Sequence, residues 1–334
     1  MTEPQHDIVA GGKARGFTFR LGMRTALMGG FGGLVFLAVA AVLLIGLWSA
    51  RENTISLTRK LADAALDGVQ AAIKQRLRPA EQAVEHIGRR IENGQIRIAA
   101  SDDLSRALAA ALAGMPQVGA LLFLDQKGQG LQAIRADDGV DVKAVQYNQS
   151  PEIIRQITLS QSHQVAYWGR VMRPPDVPLT ILNVRRPVRL DGEFAGVLVA
   201  SVSVSQLSTI LAETSRTIGG EVFVLYDNTF VLAHRRLANG FKEASPNQPL
   251  PSIDGFGDPV LEAYLHPELG PEYGGNLSRE MGIQIVGTAD GEAYPLITRR
   301  LNWFGEVPWE IGVYFRDDDV SAEFRRVMWA SIAG

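Results

Sequence analysis

The chain contains no cysteine. That excludes disulfides, thiol nucleophiles and thiolate metal sites, and it leaves the cytoplasm and the periplasm equally open. An excess of either charge is also missing: 33 Lys and Arg against 36 Asp and Glu give a formal net charge of −3 over 334 residues. Nucleic acid needs a concentrated basic surface, so no nucleic-acid partner is expected. Catalytic signatures are lacking too. There is no phosphate-binding loop, no H-E-x-x-H, no G-x-S-x-G and no EF-hand pattern. The glycines of GQGLQA (128–133) fall where a hairpin turns. The histidines His6, His86, His163, His234 and His266 are scattered without ligand spacing, and His234, in an apolar strand, reads as structural. Asp317, Asp318 and Asp319 read as a solvated run capping a terminal helix, with a hard cation as the rival reading. No cofactor is expected, and a membrane-tethered enzyme becomes the weaker reading.

What is present is a long uncharged run, ALMGGFGGLVFLAVAAVLLIGLW, residues 26–48. As a helix it would extend about 34 Å, enough to cross a hydrocarbon core of about 30 Å. Its glycines suit a membrane helix better than a soluble one, and Trp48 stands at an interfacial position. Lys13, Arg15, Arg20 and Arg24 precede it, whereas the other flank mixes charges. The positive side favours a cytoplasmic tail at 1–25 and an external region from residue 51. A cleaved signal peptide is the rival reading; the apolar core is too long for it and no A-x-A site follows. The end of the chain, VMWASIAG (327–334), reads as the start of a second membrane helix, with a short amphipathic anchor as the alternative.

Between these segments the periodicity changes. Leu57, Leu61, Ala65, Val69, Ile73, Leu77, Ala80, Val84, Ile87 and Ile91 recur at steps of three or four, which predicts one long stalk helix over 51–94. Pro79 should kink it and Asn93-Gly94 should end it. A second helix is expected from an N-cap at Ser101 to about Ala113. Strand-like runs follow at 118–125, 131–136, 163–171, 179–190 and 194–204, with a short helix at 151–160 and an Asp191-Gly192 hairpin turn. A helix opened by Ser205 leads to a second, shorter set: strands at 221–226 and 229–234 around Asp227-Asn228, a loop-rich stretch with a possible helix PVLEAYL, then three strands from GIQIVGTA, AYPLITRRLNWFG and PWEIGVYFR. The order is that of a PAS-like α/β module, met twice. The expected fold class is therefore α/β, with a membrane-distal module at 95–214 and a membrane-proximal one at 215–320, each built on an antiparallel sheet.

RPVRLDGEFAGVLVASVSVSQLSTIL, EVFVLYDNTFVLAH and VPWEIGVYFRDDDVSAEFRR carry a resemblance to the double Cache (dCache) sensory regions of bacterial transmembrane receptors. It spans roughly residues 51–325. It implies an extracytoplasmic sensor of a small molecule, anchored in the inner membrane, working as a homodimer and feeding a cytoplasmic output. The flavour of QPLPSIDGFGDPVL and WFGEVPWEIGVYF is similar to sensors attached to adenylate/guanylate cyclases, so a HAMP-like linker and a class III cyclase are expected after residue 334. A histidine kinase, a diguanylate cyclase or a chemoreceptor coiled coil are the alternatives, and a module that only dimerises is the non-sensing one.

A small-ligand pocket needs an apolar wall and a few convergent polar groups. AYWGR brings Tyr167, Trp168 and Arg170 together, with Arg135, Tyr147, Arg173 and Arg185 nearby or on neighbouring strands. The resemblance places the ligand in the distal module, lined by this part of the chain. The family's amino-acid-binding variant has an Arg ahead of a Trp-Tyr pair and an Asp late in the last strand. This sequence has Tyr-Trp after Val165 and Ala166, and Ser201 at the Asp position. Arginines without a paired acid point instead to a carboxylate or another anion.

Overall fold

The computed structural model describes residues 23–136, 139–174, 179–271, 282–302, 304–305 and 307–315. The expected second membrane helix at 327–334 and the run Asp317–Asp319 lie outside them. Backbone contacts divide the chain into two units, 1–54 and 55–334.

Helix α1 runs Met23–Glu92 without interruption and carries Pro79 inside it. In the first unit its side chains Met28, Phe31, Leu34, Phe36, Leu37 and Val42 are exposed. Among the described residues no helix is long and apolar enough to cross a membrane. In the second unit the same helix is a packed spine. Leu66, Val69, Ile73, Leu77, Ala80, Val84, Ile87 and Ile91 are buried on one face, whereas Leu61, expected on that face, is 57% exposed. Among the described side chains the buried stripe starts at Leu66. Gly94 ends the helix with φ +72°, a conformation open to glycine, and Gln95 N–H returns to the Arg90 carbonyl at 2.8 Å.

Helix α2 spans Ser101–Ala113, but Ala100 holds the N-cap position and Ser101 is already helical. Six strands follow: β1 Ala120–Asp125, β2 Gln129–Ala136, β3 Gly139–Gln146, then, after helix α3 Pro151–Ser160, β4 Tyr167–Trp168, β5 Ile181–Leu190 and β6 Glu193–Ser203. They form one antiparallel sheet in the order β3-β2-β1-β6-β5-β4. The β5–β6 hairpin turns at Asp191 (φ +52°) and Gly192 (φ +86°), the left-handed pair that matches strand twist. Helix α4, Val204–Ile218, is capped by Ser203, whose side chain accepts from Ser205 N–H; the cap lies two residues before the expected Ser205.

The second sheet contains β7 Glu221–Tyr226, β8 Phe230–His234, β9 Gln284–Gly287, β10 Ala293–Leu301 and β11 Trp309–Tyr314, with helix α5 at Pro259–Leu265. Its order, β8-β7-β11-β10-β9, is also antiparallel throughout. One buried cluster joins the α1 stripe to Leu104 and Leu108 of α2, to Leu182, Val184, Leu198 and Ala200 of the first sheet, and to Val222, Val224, Ile311 and Val313 of the second. Because strand side chains alternate, the residues between these point to the opposite face of each sheet. On the first sheet that opposite face meets α3.

Candidate functional site

The far face of the first sheet holds a cavity of about 370 Å³. Alternate residues form its floor: Leu122 and Leu124 of β1, Gln132 and Ile134 of β2, Ile181, Asn183 and Arg185 of β5, Val197, Val199 and Ser201 of β6. Ile153, Gln156, Ile157 and Ser160 of α3 cover it, together with Met172, Pro174 and Leu179 from the β4–β5 connection. The wall is largely aliphatic. No Asp or Glu stands among its described lining residues, whereas Arg135, Lys143 and Arg185 do.

The three cations are not equivalent. Lys143 is exposed at the edge strand. Arg135 Nη2 donates to the Leu112 carbonyl at 2.7 Å and the Met115 carbonyl at 2.9 Å, so it caps the end of α2. Arg185 is 5% exposed. Its Nη1 donates to Gln156 Oε1, and its Nη2 lies 3.9 Å from the Met172 sulfur. Burial holds the Arg185 pKa below its ordinary value, against the opposing pull of Tyr167 and Glu152. No carboxylate contacts this guanidinium among the described residues. A buried charge without a counter-ion is costly, so the position invites an anion.

A relay supports Arg185. Gln156 Nε2 donates to Glu152 Oε1 at 2.7 Å. Ser160 Oγ donates to the Gln156 carbonyl at 2.8 Å and lies 2.7 Å from Tyr167 Oη. Tyr167 pairs across the strands with Arg185, and its ring stacks on His163 with centroids 3.6 Å apart. Asn183 Nδ2 donates to the Arg170 carbonyl at 3.0 Å, while its buried Oδ1 has no hydrogen-bond partner among the described residues.

Of the residues expected from the sequence, Arg135, Tyr147, Arg185 and Ser201 line the cavity. Tyr167 stands behind it, joined through Ser160. Trp168 is on the opposite face: strand alternation turns it into the main core, edge-on to Phe304 with centroids 5.8 Å apart. Arg170 is exposed and contributes its carbonyl rather than its guanidinium. Arg173 lines a second cavity of about 230 Å³, shared with Lys242, Thr180 and the start of α4. Sequence reasoning missed Gln156, Asn183, Gln132 and Ser160. Alternation from Arg185 could have found Asn183, and the helical step from Glu152 could have found Gln156 and Ser160.

No family model and no curated protein matches the sequence. Solved structures do. The sensory domain of the Campylobacter jejuni chemoreceptor Tlp3 superposes with a TM-score of 0.54 at 11% identity, over 80% of this chain and 95% of that one. The Tlp3 ligand-binding domain in complex with L-valine gives 0.53 at 11% identity, over 80% and 94%. A structure named methyl-accepting chemotaxis protein X gives 0.52 at 15% identity, over 78% and 97%. The fold is that of bacterial sensory domains. At these identities the likeness is one of architecture, and it agrees with the double Cache resemblance at that level.

Proposed function

We propose that this chain is the extracytoplasmic small-molecule sensor of a membrane receptor, and that an anion bound in the first-sheet cavity is its signal. One observation carries the reading: Arg185 is buried in an aliphatic cavity with an amide, not a carboxylate, on its guanidinium. A carboxylate ligand would supply the missing counter-charge through a charge-assisted hydrogen bond. The similar Tlp3 domain holds L-valine. Among the described residues no acidic side chain lines the cavity to receive an ammonium group, and Ser201 stands where the family's aspartate is expected, so a plain anion suits the site better. In this reading the apolar part of α1 lies in the inner membrane with residue 51 onward outside, and α1 carries the change of state toward it. The receptor works as a homodimer, whose helices shift against each other. The output that best accords with the similar structures is a chemotaxis or histidine-kinase module; the cyclase expected from sequence is the rival.

Thermal melting of the purified full chain in detergent tests the reading. A panel of carboxylates, amines, nucleosides and sugars should yield stabilisation by carboxylates alone. Binding to the folded state adds about 2.7 kcal/mol at a hundredfold excess over Kd. Arg185→Gln should lose that shift. A flat response to every class would instead favour a module that only dimerises.

A further inference from the structure

The occupant of Arg185 in this structure is a side chain of the protein itself. Gln156 projects from α3 into the cavity lining and places its amide oxygen on Arg185 Nη1. An amide oxygen is the neutral counterpart of a carboxylate oxygen: the same acceptor geometry without the charge. The adjacent residue shows what this chain does when it intends a permanent ion pair. Arg186, on the other face of β5, donates from Nε to Glu85 at 2.9 Å and from Nη2 to Glu92 at 2.7 Å. Among the described residues no carboxylate contacts Arg185; the charge of Glu152 acts on it from a distance, and the hydrogen-bonded link between them runs through the Gln156 amide.

Resting on the anion-sensing reading above, we infer that the ligand is an apolar monocarboxylate, that its carboxylate takes the place of the Gln156 amide on Arg185, and that Gln156 is thereby the residue that sets affinity. The chemistry follows from the lining. Arg185 is the buried cation free of backbone carbonyls, since Arg135 is held by two. One such cation suits one carboxylate. Aliphatic side chains from β1, β6 and α3 accept a hydrocarbon body. An α-ammonium group beside the carboxylate would enter among Arg135, Lys143 and Arg185 with no described acid to receive it. Release of Gln156 also has a structural consequence. Its side chain ties α3 to β5, so exchange of that bond for a ligand bond loosens the cover of the cavity from its floor.

The test is titration of hexanoate into the purified full chain, with hexanol, hexylamine, adipate and norleucine as matched controls. Norleucine is hexanoate with an α-ammonium group. Hexanoate should bind and the controls should bind at least roughly tenfold more weakly, a difference of about 1.4 kcal/mol. Gln156→Ala should bind hexanoate roughly tenfold tighter, because the internal competitor is gone. Gln156→Glu should bind it no longer, because its carboxylate satisfies Arg185 from within. Norleucine or adipate binding as tightly as hexanoate would overturn the monocarboxylate assignment. Gln156→Ala with equal or weaker affinity would overturn the competition and leave anion sensing standing. If no carboxylate binds either wild type or Gln156→Ala, both readings fall together.

Discussion

Arg185 and Arg186 are neighbours in one strand with opposite surroundings. Arg186 is pinned against α1 by Glu85 and Glu92, and its pKa is raised: burial opposes its charge, but the Glu92 hydrogen bonds and both carboxylates outweigh that. Gly88 of α1 makes the approach possible, since a Cβ there would overlap the guanidinium. Alanine is normally about 1 kcal/mol better than glycine inside a helix. Gly88→Ala should nevertheless destabilise the protein, because displacing a buried guanidinium from its carboxylates costs about 2 kcal/mol or more. Denaturant unfolding that showed Gly88→Ala to be more stable would refute the close-packing argument. Glu92 adds a pH dependence. Burial alone would raise its pKa, but the Arg186 hydrogen bond, the Arg189 N–H and both arginine charges hold it below the ordinary value. A carboxyl with a depressed folded pKa stabilises the fold above its unfolded value, and that contribution disappears as pH falls through the folded value. Glu92→Gln should therefore melt lower than wild type at neutral pH, and the gap should close in acid; calorimetry from pH 7 downward reads it. The tandem arginines were visible in the sequence, and alternation sends them to opposite faces. Which face held acids was not, because Glu85 and Glu92 arrive from a helix far along the chain.

At the scale of elements, α1 is the spine. Ile73 lies fully buried in its middle, whereas Leu61 is largely exposed. Ile73→Ala should cost about 2–5 kcal/mol and Leu61→Ala close to nothing, as urea midpoints would show; equal effects would mean that the stripe is misplaced. Elements with strong local signals were legible in advance. Helix α3 has Pro at its first position and α5 has Asp258 as a cap that accepts from Val260 and Leu261 N–H, so both coincide with the segments read from sequence. Strand β7 is an uninterrupted apolar run ended by a turn at Asp227 and Asn228, both at positive φ. Strand β3 went unread because an edge strand buries little: GVDVKAVQ has no fully buried residue. The strand expected over 163–171 shrinks to Tyr167–Trp168: beyond it the backbone keeps only separate bonds to β5, from Gly169 to the Asn183 carbonyl and between Met172 and Ile181, while the Arg170 carbonyl between them takes the Asn183 side chain. The two serine caps were displaced by a residue or two: at α4 the Ser203 and Ser205 hydroxyls compete, and at α2 Ala100 takes the cap position with no side-chain bond.

At the scale of the whole molecule, architecture was readable and the full lining of the first-sheet cavity was not. Two sheets in corresponding strand orders follow from hairpin turns and alternation, which act locally. A cavity depends on which side chains meet across β5, β6 and α3, and this chain shares only 11% of its residues with the Tlp3 domain of similar fold. The remaining question of scale is orientation. On the proposed reading, the exposed side chains of Met28, Phe31, Leu34, Phe36, Leu37 and Val42 on α1 face lipid. Lys13, Arg15, Arg20 and Arg24 precede that stretch, and such a cluster is retained on the cytoplasmic side. Alkaline phosphatase fused after residue 200 should therefore be active, because it folds only where disulfides form. The same reporter fused at residue 20 should be inactive. Replacement of the four basic residues by glutamate should lower the activity of the first fusion, since the orienting charge is gone. An inactive reporter at residue 200, with the fusion protein intact, would place the first-sheet cavity in the cytoplasm and end the extracytoplasmic sensor reading.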